Sequence, residues 1–245
     1  EEGHYGYLRY LRAHQALPPL SSTDQWLAES KQPPLYYVTT TLLTFWLPDE
    51  IDADALLMMN PYMDFSVPGY RNDNRNVYLH PPHLTPVVLA ARLISLALGL
   101  GTVIVTYWAA LLLFSKRSHI PIAAAAAVGF YPNFLYITTA VNNDAAIVFL
   151  GALITLVLLY RLKKGELTHF ALIIGALLGL TSITKVSGLV FFPLVGLALL
   201  LIHRGLRPAL FREGLIILVV ALLIGGWWYA RNAIVYNDPL TLNIH

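Results

Sequence analysis

No cysteine occurs in the 245 residues. A disulfide framework, a thiolate zinc site and a cysteine nucleophile are therefore excluded, and redox compartment leaves no trace in the chain. Charge is scarce too. Asp, Glu, Lys and Arg together make 12% of the residues, about half the share of an ordinary soluble domain. The net charge of +2 is too small to point to nucleic acid, so the placement of charges matters more than their sum. No glycine-rich phosphate loop or dinucleotide fingerprint is present, and no paired intramembrane histidines suit haem. No charged residue stands in the middle of an apolar run, which argues against a proton pump or an ion channel. Acids and tyrosines open the chain where a secretory signal would have a basic and then an apolar stretch.

What the chain does have is apolar length. It is 57% hydrophobic with a mean hydropathy of +0.60, and its runs from Val87 onward are continuous rather than periodic. This predicts an all-α polytopic membrane protein with about six spans: Val87–Phe114, Ile120–Ala140, Ala145–Tyr160, Phe170–Thr184, Ser187–Ile202 and Leu215–Ala230. A bilayer core of about 30 Å needs about 20 helical residues, so the shorter runs must draw on their flanks. Only Lys185 and Val186 separate the fourth run from the fifth, and a tight turn there suits the charges better than one long broken helix. Residues 1–86 form a second region, polar, rich in proline and aromatics, and holding most of the acids.

Basic residues set an orientation. Lys116 and Arg117, then Arg161, Lys163 and Lys164, then Arg204, Arg207 and Arg212 follow alternate runs and so share one side. The positive-inside rule makes that side cytoplasmic. Residues 1–86, the turn "VNND" at 141–144, Lys185 and the exit "ARNAIVYNDPL" then gather on the other face, with both ends of the chain. Within residues 1–86, "QPPLYYVTTTLLTFWLPDE" has an apolar stretch from Leu35 to Leu47 that is too short to span. It reads as an interfacial helix, with Tyr36, Tyr37, Phe45 and Trp46 at headgroup depth. The opening "EEGHYGYLRYL" reads as an amphipathic helix, with Tyr7, Leu8 and Leu11 on one side and Arg9 and Arg12 on another.

Several motifs admit two readings. Glu1, Glu2 and His4 suit a general base with a metal or acceptor partner, but acids at a helix start also complement its dipole. Asp144 in "VNNDAA" stands at a membrane boundary, where an ionisable group is costly without water or a partner. It could equally sit beside an Asn142 or Asn143 cap. Lys185 in "TSITKVSG" is a lone cation among Thr181, Ser182, Ser187 and Gly188, which leave room for an anionic ligand such as a lipid phosphate; snorkelling is the plain alternative. Arg231, next to Trp227, Trp228 and Tyr229, reads as an anchor. His80 and His83 in "YLHPPH" would share one side of a polyproline helix, although a third ligand is lacking. Their prolines suit a rigid approach to the first span. "DEIDAD" at 49–54 lacks the glycine and closing glutamate of a calcium loop and reads as a short solvated helix.

Taken in order, "EEGHYGYLRYL", "QPPLYY", "ARLISLALGLGTV", "FYPNFLYITTAVNNDA", "GLTSITKVSGLVFFPL" and "WWYARNAIVYNDPL" resemble the integral-membrane glycosyltransferases of the GT-C superfamily. The similarity is to the bacterial relatives of protein O-mannosyltransferases and aminoarabinose transferases, and it covers almost the whole chain. It implies an acidic pair opening an extracytoplasmic loop with juxtamembrane helices, in a multi-pass protein of the bacterial inner (plasma) membrane. The first acid of such a pair, normally aspartate, is the catalytic base that activates an acceptor hydroxyl against a sugar on a polyprenyl phosphate. By position, Glu1 and Glu2 correspond to the acidic pair, and His4 to a histidine of the mannosyltransferase version. In an equally good register the aspartate stands immediately before Glu1. On this reading Asp144 orients sugar or a divalent metal, Lys185 neutralises the phosphate of the donor lipid, and His4 and Arg231 help to bind substrate. The chain departs from the family in having no aspartate in the pair. The family's first transmembrane helix and its later spans also fall outside these residues. A second class of function, a non-catalytic subunit using the fold as a scaffold among other membrane subunits, accommodates those departures. A transporter is the third, opposed by the lack of a broken helix with midplane polar groups.

Overall fold

The computed structural model describes residues 2–20, 27–48, 85–115, 119–205 and 207–241. It is all-helical, with no strand among the described residues. Two short helices come first, α1 (Glu2–His14) and α2 (Leu35–Thr44). Then follow α3 (Pro86–Leu113), α4 (His119–Gly129), α5 (Pro132–Thr139) and α6 (Asp144–Lys164). The chain continues through α7 (Phe170–Ser182), a 3-10 turn at Val186–Val190, α8 (Phe191–His203) and α9 (Pro208–Ala221). A π turn at Leu222–Gly226 joins α9 to α10 (Trp227–Tyr236).

Four helices are long and apolar enough to cross a membrane among the described residues: Pro86–Leu113, Asp144–Lys164, Val186–His203 and Pro208–Tyr236. The chain is a multi-pass membrane protein by this measure. Its many exposed leucines, isoleucines and valines, such as Leu100, Leu197 and Leu223, are what lipid-facing walls require.

The expected run Ile120–Ala140 is not one straight helix. It is the pair α4 and α5, bent by 61°, and counting it as one span brings the total to five. The cause is local. Pro132 cannot continue the hydrogen-bond ladder of α4, and it pushes the preceding Tyr131 to an extended conformation, φ −70° and ψ 120°. The bend is a broken helix of a kind the hydropathy did not suggest, and the polar side chains of Tyr131 and Asn133 stand at it. The expected run Phe170–Thr184 is a helix of 13 residues, about 20 Å long, which falls short of a bilayer core.

Helix ends follow their sequence signals. Thr85 caps α3, its hydroxyl accepting from the Val88 amide at 3.3 Å with Pro86 at the first turn. Helix α6 ends on Arg161, Lys163, Lys164 and then Gly165 at φ +93°, which places cations against the negative end of its dipole. At Lys185 the backbone is extended between α7 and the 3-10 turn. The reversal is tight, as the charge pattern suggests. Gly188 makes it possible, since a Cβ there would lie 2.4 Å from the Thr181 carbonyl oxygen.

The bundle has two chemically distinct ends. At one, Lys163 Nζ caps the last turn of α3 through the Leu112 and Leu113 carbonyls. Glu213 there receives Arg161 at 3.4 Å and His203 at 3.0 Å. At the other, α1, α2 and residues 27–34 pack onto the turn 141–144, residues 182–187 and residues 238–241. Two apolar cores match these ends. One holds Tyr5, Tyr7, Leu8 and Leu11 with Tyr36, Tyr37, Val87, Val88 and Val141. The other lies inside the bundle, among Ile154, Ile174, Leu178, Val195 and Ile217. The short helices α1 and α2 therefore have no core of their own; they share one with the first turns of α3.

Candidate functional site

The site is built where α1 crosses α2. The opening helix is amphipathic as expected, with Tyr5, Tyr7, Leu8 and Leu11 all buried. Tyr7 lies parallel to Tyr37 with ring centroids 4.0 Å apart, and Tyr36 meets Tyr37 edge-on at 5.5 Å. Buried ring pairs of this kind contribute about 1 kcal/mol beyond the area they bury. The expectation that Tyr36 and Tyr37 lie at headgroup depth is corrected here. They are 3% and 0% exposed, whereas Phe45 and Trp46 are 71% and 69% exposed. The reason is that the tyrosine hydroxyls have internal partners. Tyr36 bonds Ser95 at 2.8 Å and accepts from the Asn142 amide at 3.2 Å. Tyr37 bonds His4 Nδ1 at 2.7 Å.

Asp144 and Lys185, 41 residues apart in sequence, form an ion pair at 2.5 Å with each side chain about a quarter to a third exposed. Asp144 occupies the first turn of α6, and its amide is held by the Asn142 side chain at 2.7 Å. The turn is thus closed by Asn142, two residues before the helix begins, and Asn143 at the cap position makes no side-chain cap bond. Asn143 plays another part: fully buried, it donates to the Thr184 carbonyl at 3.2 Å and pins the turn 141–144 to the stretch that ends in Lys185. Thr181 and Ser182 do not leave room for a ligand, contrary to expectation. Both are buried, their hydroxyls turned back to the Leu178 and Gly179 carbonyls at 2.8 Å, and Gly188 is closed against Thr181. Lys185 itself remains partly exposed.

Electrostatics join these groups. Burial lowers the His4 pKa below its ordinary 6.5; the Lys185 ammonium acts in the same direction, and the carboxylates of Glu29 and Asp144 oppose it. Burial likewise raises the Tyr37 phenol well above 10.0, aided by Glu29 and Asp144. His4 is therefore neutral and Tyr37 protonated near pH 7. Glu29, absent from the sequence expectations, reaches the cluster because α1 presents Gly3 to it, where a Cβ would lie 3.0 Å from Glu29 Cγ.

Arg231 belongs to the same neighbourhood. Its guanidinium lies over the rings of Trp228 and Tyr236 at 5.5 and 5.4 Å and donates to Asn232 Oδ1 at 3.0 Å. It also acts on Tyr7, lowering a phenol pKa that burial raises. Three polar atoms in this region meet no hydrogen-bond partner among the described residues: the Tyr7 hydroxyl, the Trp228 indole nitrogen and Asn232 Nδ2. All three can donate, and a guanidinium can only donate.

His4 is bonded to the Tyr7–Tyr37 stack, the Asp144–Lys185 pair lies within electrostatic reach of His4, and Arg231 within reach of Tyr7. Glu2 is the first residue of α1, two positions before His4. Glu1, His80, His83 and residues 49–54 lie outside the described residues. Among the described residues no group of three or more histidine or acidic side chains could hold a metal ion. The chain matches no protein-family model, no curated protein and no solved structure.

Proposed function

We propose that this protein is a membrane glycosyltransferase that moves a sugar from a polyprenyl phosphate to an acceptor hydroxyl at the extracytoplasmic face. The observation that carries the reading is the placement of His4, Asp144, Lys185 and Arg231 at the end of the bundle opposite the basic loops. By the positive-inside rule that end is extracytoplasmic, and with the fourth run completed from its flanks the bundle has six spans. Residues 1–86 then form the loop on which donor lipid and acceptor meet.

In the reaction, the Glu1/Glu2 pair takes the proton of the acceptor hydroxyl as its oxygen attacks the anomeric carbon. The bond from that carbon to the phosphate oxygen breaks with inversion, and the lipid phosphate leaves. A cation aimed at the oxygen that gains charge is the stabilising device such a step needs. Lys185 keeps two of its three protons free of Asp144, and Arg231 stands beside donors that lack acceptors. An acceptor-rich group, phosphate or sugar, suits the free protons of Lys185.

The test is transfer from a fluorescent polyprenyl-phosphate sugar by the natively purified protein in nanodiscs. Glu2→Gln should reduce turnover about 10²- to 10⁴-fold, and Lys185→Ala about 10²-fold or more. A dead Glu2→Gln beside a nearly normal Lys185→Ala would contradict the phosphate role. No transfer by the wild type, with stoichiometric co-purification of other membrane subunits, would replace the enzyme with the scaffold reading.

A further inference from the structure

At the basic end of the bundle, far from the aromatic stack, a cleft of about 540 Å³ opens between α3 and α6. Leu111, Leu112, Leu156 and Val157 form its walls, Trp108 and Tyr160 its aromatic edge, and Lys163 and Lys164 its rim. We propose that this cleft holds one acyl chain of an anionic phospholipid, whose phosphate is received by Lys163 and Lys164. The proposal is independent of the transfer reaction.

Three features support this occupant. The first is shape. Leu156 to Lys164 is nine residues of α6, about 12 Å along the helix, most of the depth of one bilayer leaflet. A helix with its side chains is about 10 Å wide. A single hydrocarbon chain is the slimmer guest. The second is the order of chemistry along α6, from Leu156 and Val157 through Tyr160 to Lys163 and Lys164, which is the order met along a lipid from chain to headgroup. The third is charge. Lys163 gives two of its protons to the carbonyls that end α3 and keeps one. Lys164 is exposed on the rim. Arg161, by contrast, is turned inward to Glu213 and over Phe170 and is spent on the fold. A rim with two cations and no acid among its lining residues selects a negative headgroup over a zwitterionic one.

Native mass spectrometry of the delipidated, natively purified protein with equimolar dioleoyl phosphatidylglycerol and dioleoyl phosphatidylcholine tests this. Two lysines at about fivefold each set a preference for phosphatidylglycerol of about 25-fold at low salt. Lys164→Gln should reduce it to about fivefold, Lys164→Arg should restore it, and Val157→Trp should lower retention of both lipids. Equal retention of the two lipids by the wild type would overturn the proposal, as would an unchanged preference in Lys164→Gln. Displacement by millimolar inorganic phosphate would overturn it in favour of a free anion. A dimer that forms only when lipid is removed, and that Val157→Trp abolishes, would overturn it in favour of a second copy of this chain.

Discussion

Replacing Gly188 with alanine should unseat Lys185 without touching it. The added Cβ would stand 2.4 Å from the Thr181 oxygen and 2.7 Å from the Thr181 carbonyl carbon. Ordinary contact begins about 1 Å further out, and the obstructing atoms are backbone, so the 3-10 turn must move away from α7. The same Thr181 carbonyl accepts from the Thr184 and Lys185 amides at 3.1 and 3.2 Å, so the shift loosens the segment that aims Lys185 at Asp144. Overpacking of this kind costs about 1–3 kcal/mol, or roughly 3–10 °C in the unfolding midpoint of a chain this size. Gly196, in the middle of α8, is the matched control. Nothing lies within 4 Å of a Cβ built there, and removing a helical glycine contributes about 0.5–1 kcal/mol. Thermal unfolding of both variants in one detergent, followed by circular dichroism, should give shifts of opposite sign. A Gly188→Ala protein as stable as wild type would refute the packing argument, and so would equal damage from Gly196→Ala.

Tyr37→Phe should keep the stack on Tyr7 but lose the 2.7 Å bond to His4, costing about 1–2 kcal/mol. In a double-mutant cycle with His4→Ala the two losses should not add, whereas additive losses would deny the bond. Because the His4 pKa is lowered by burial, its unfolded form binds a proton more readily. Stability from this group is complete above the unfolded value of 6.5 and declines as pH falls below it. His4→Gln should flatten the midpoint-versus-pH curve between about pH 7 and 5; an unaltered slope would assign the effect elsewhere. Arg12 closes the end of α2 by donating to the Thr44 and Leu47 carbonyls at 2.7 and 2.6 Å. Arg12→Met should cost about 1–3 kcal/mol and speed amide exchange in α2, with Arg12→Lys recovering only part because it lacks the planar fork.

The long helices were legible because continuous apolar runs leave little choice of structure. The register of the opening helix was legible too, since Tyr7, Leu8 and Leu11 repeat at helical spacing. The kink before Pro132 was written in "FYP" but hidden by the hydropathy of its surroundings. Burial of Tyr36 and Tyr37 was misread because an aromatic beside proline near a membrane looks the same whether it faces headgroups or Ser95 and His4. The pairing of Asp144 with Lys185, and the arrival of Glu29 beside Gly3, depend on contacts between distant segments, which no local pattern encodes. What the sequence did supply was the short roster of polar residues at apolar boundaries. Those are the residues that the fold draws together.

The π turn at Leu222–Gly226 acts as a phase offset in a shaft. One extra residue turns everything after it by about 100° relative to an uninterrupted α-helix. The half before the turn is keyed to α7, and the turn itself is seated there by Gly225, where a Cβ would lie 2.1 Å from Ser182 Oγ. The half after it carries Arg231, its guanidinium over Trp228 and Tyr236, within electrostatic reach of Tyr7. Two clients that face different ways are thus served by one rod. The bearing of Arg231 is set by how many residues lie between 222 and 226 more than by which residues they are. Substitution on the lipid side of this stretch preserves the offset; loss of one residue erases it and swings the guanidinium more than a quarter turn from Tyr7.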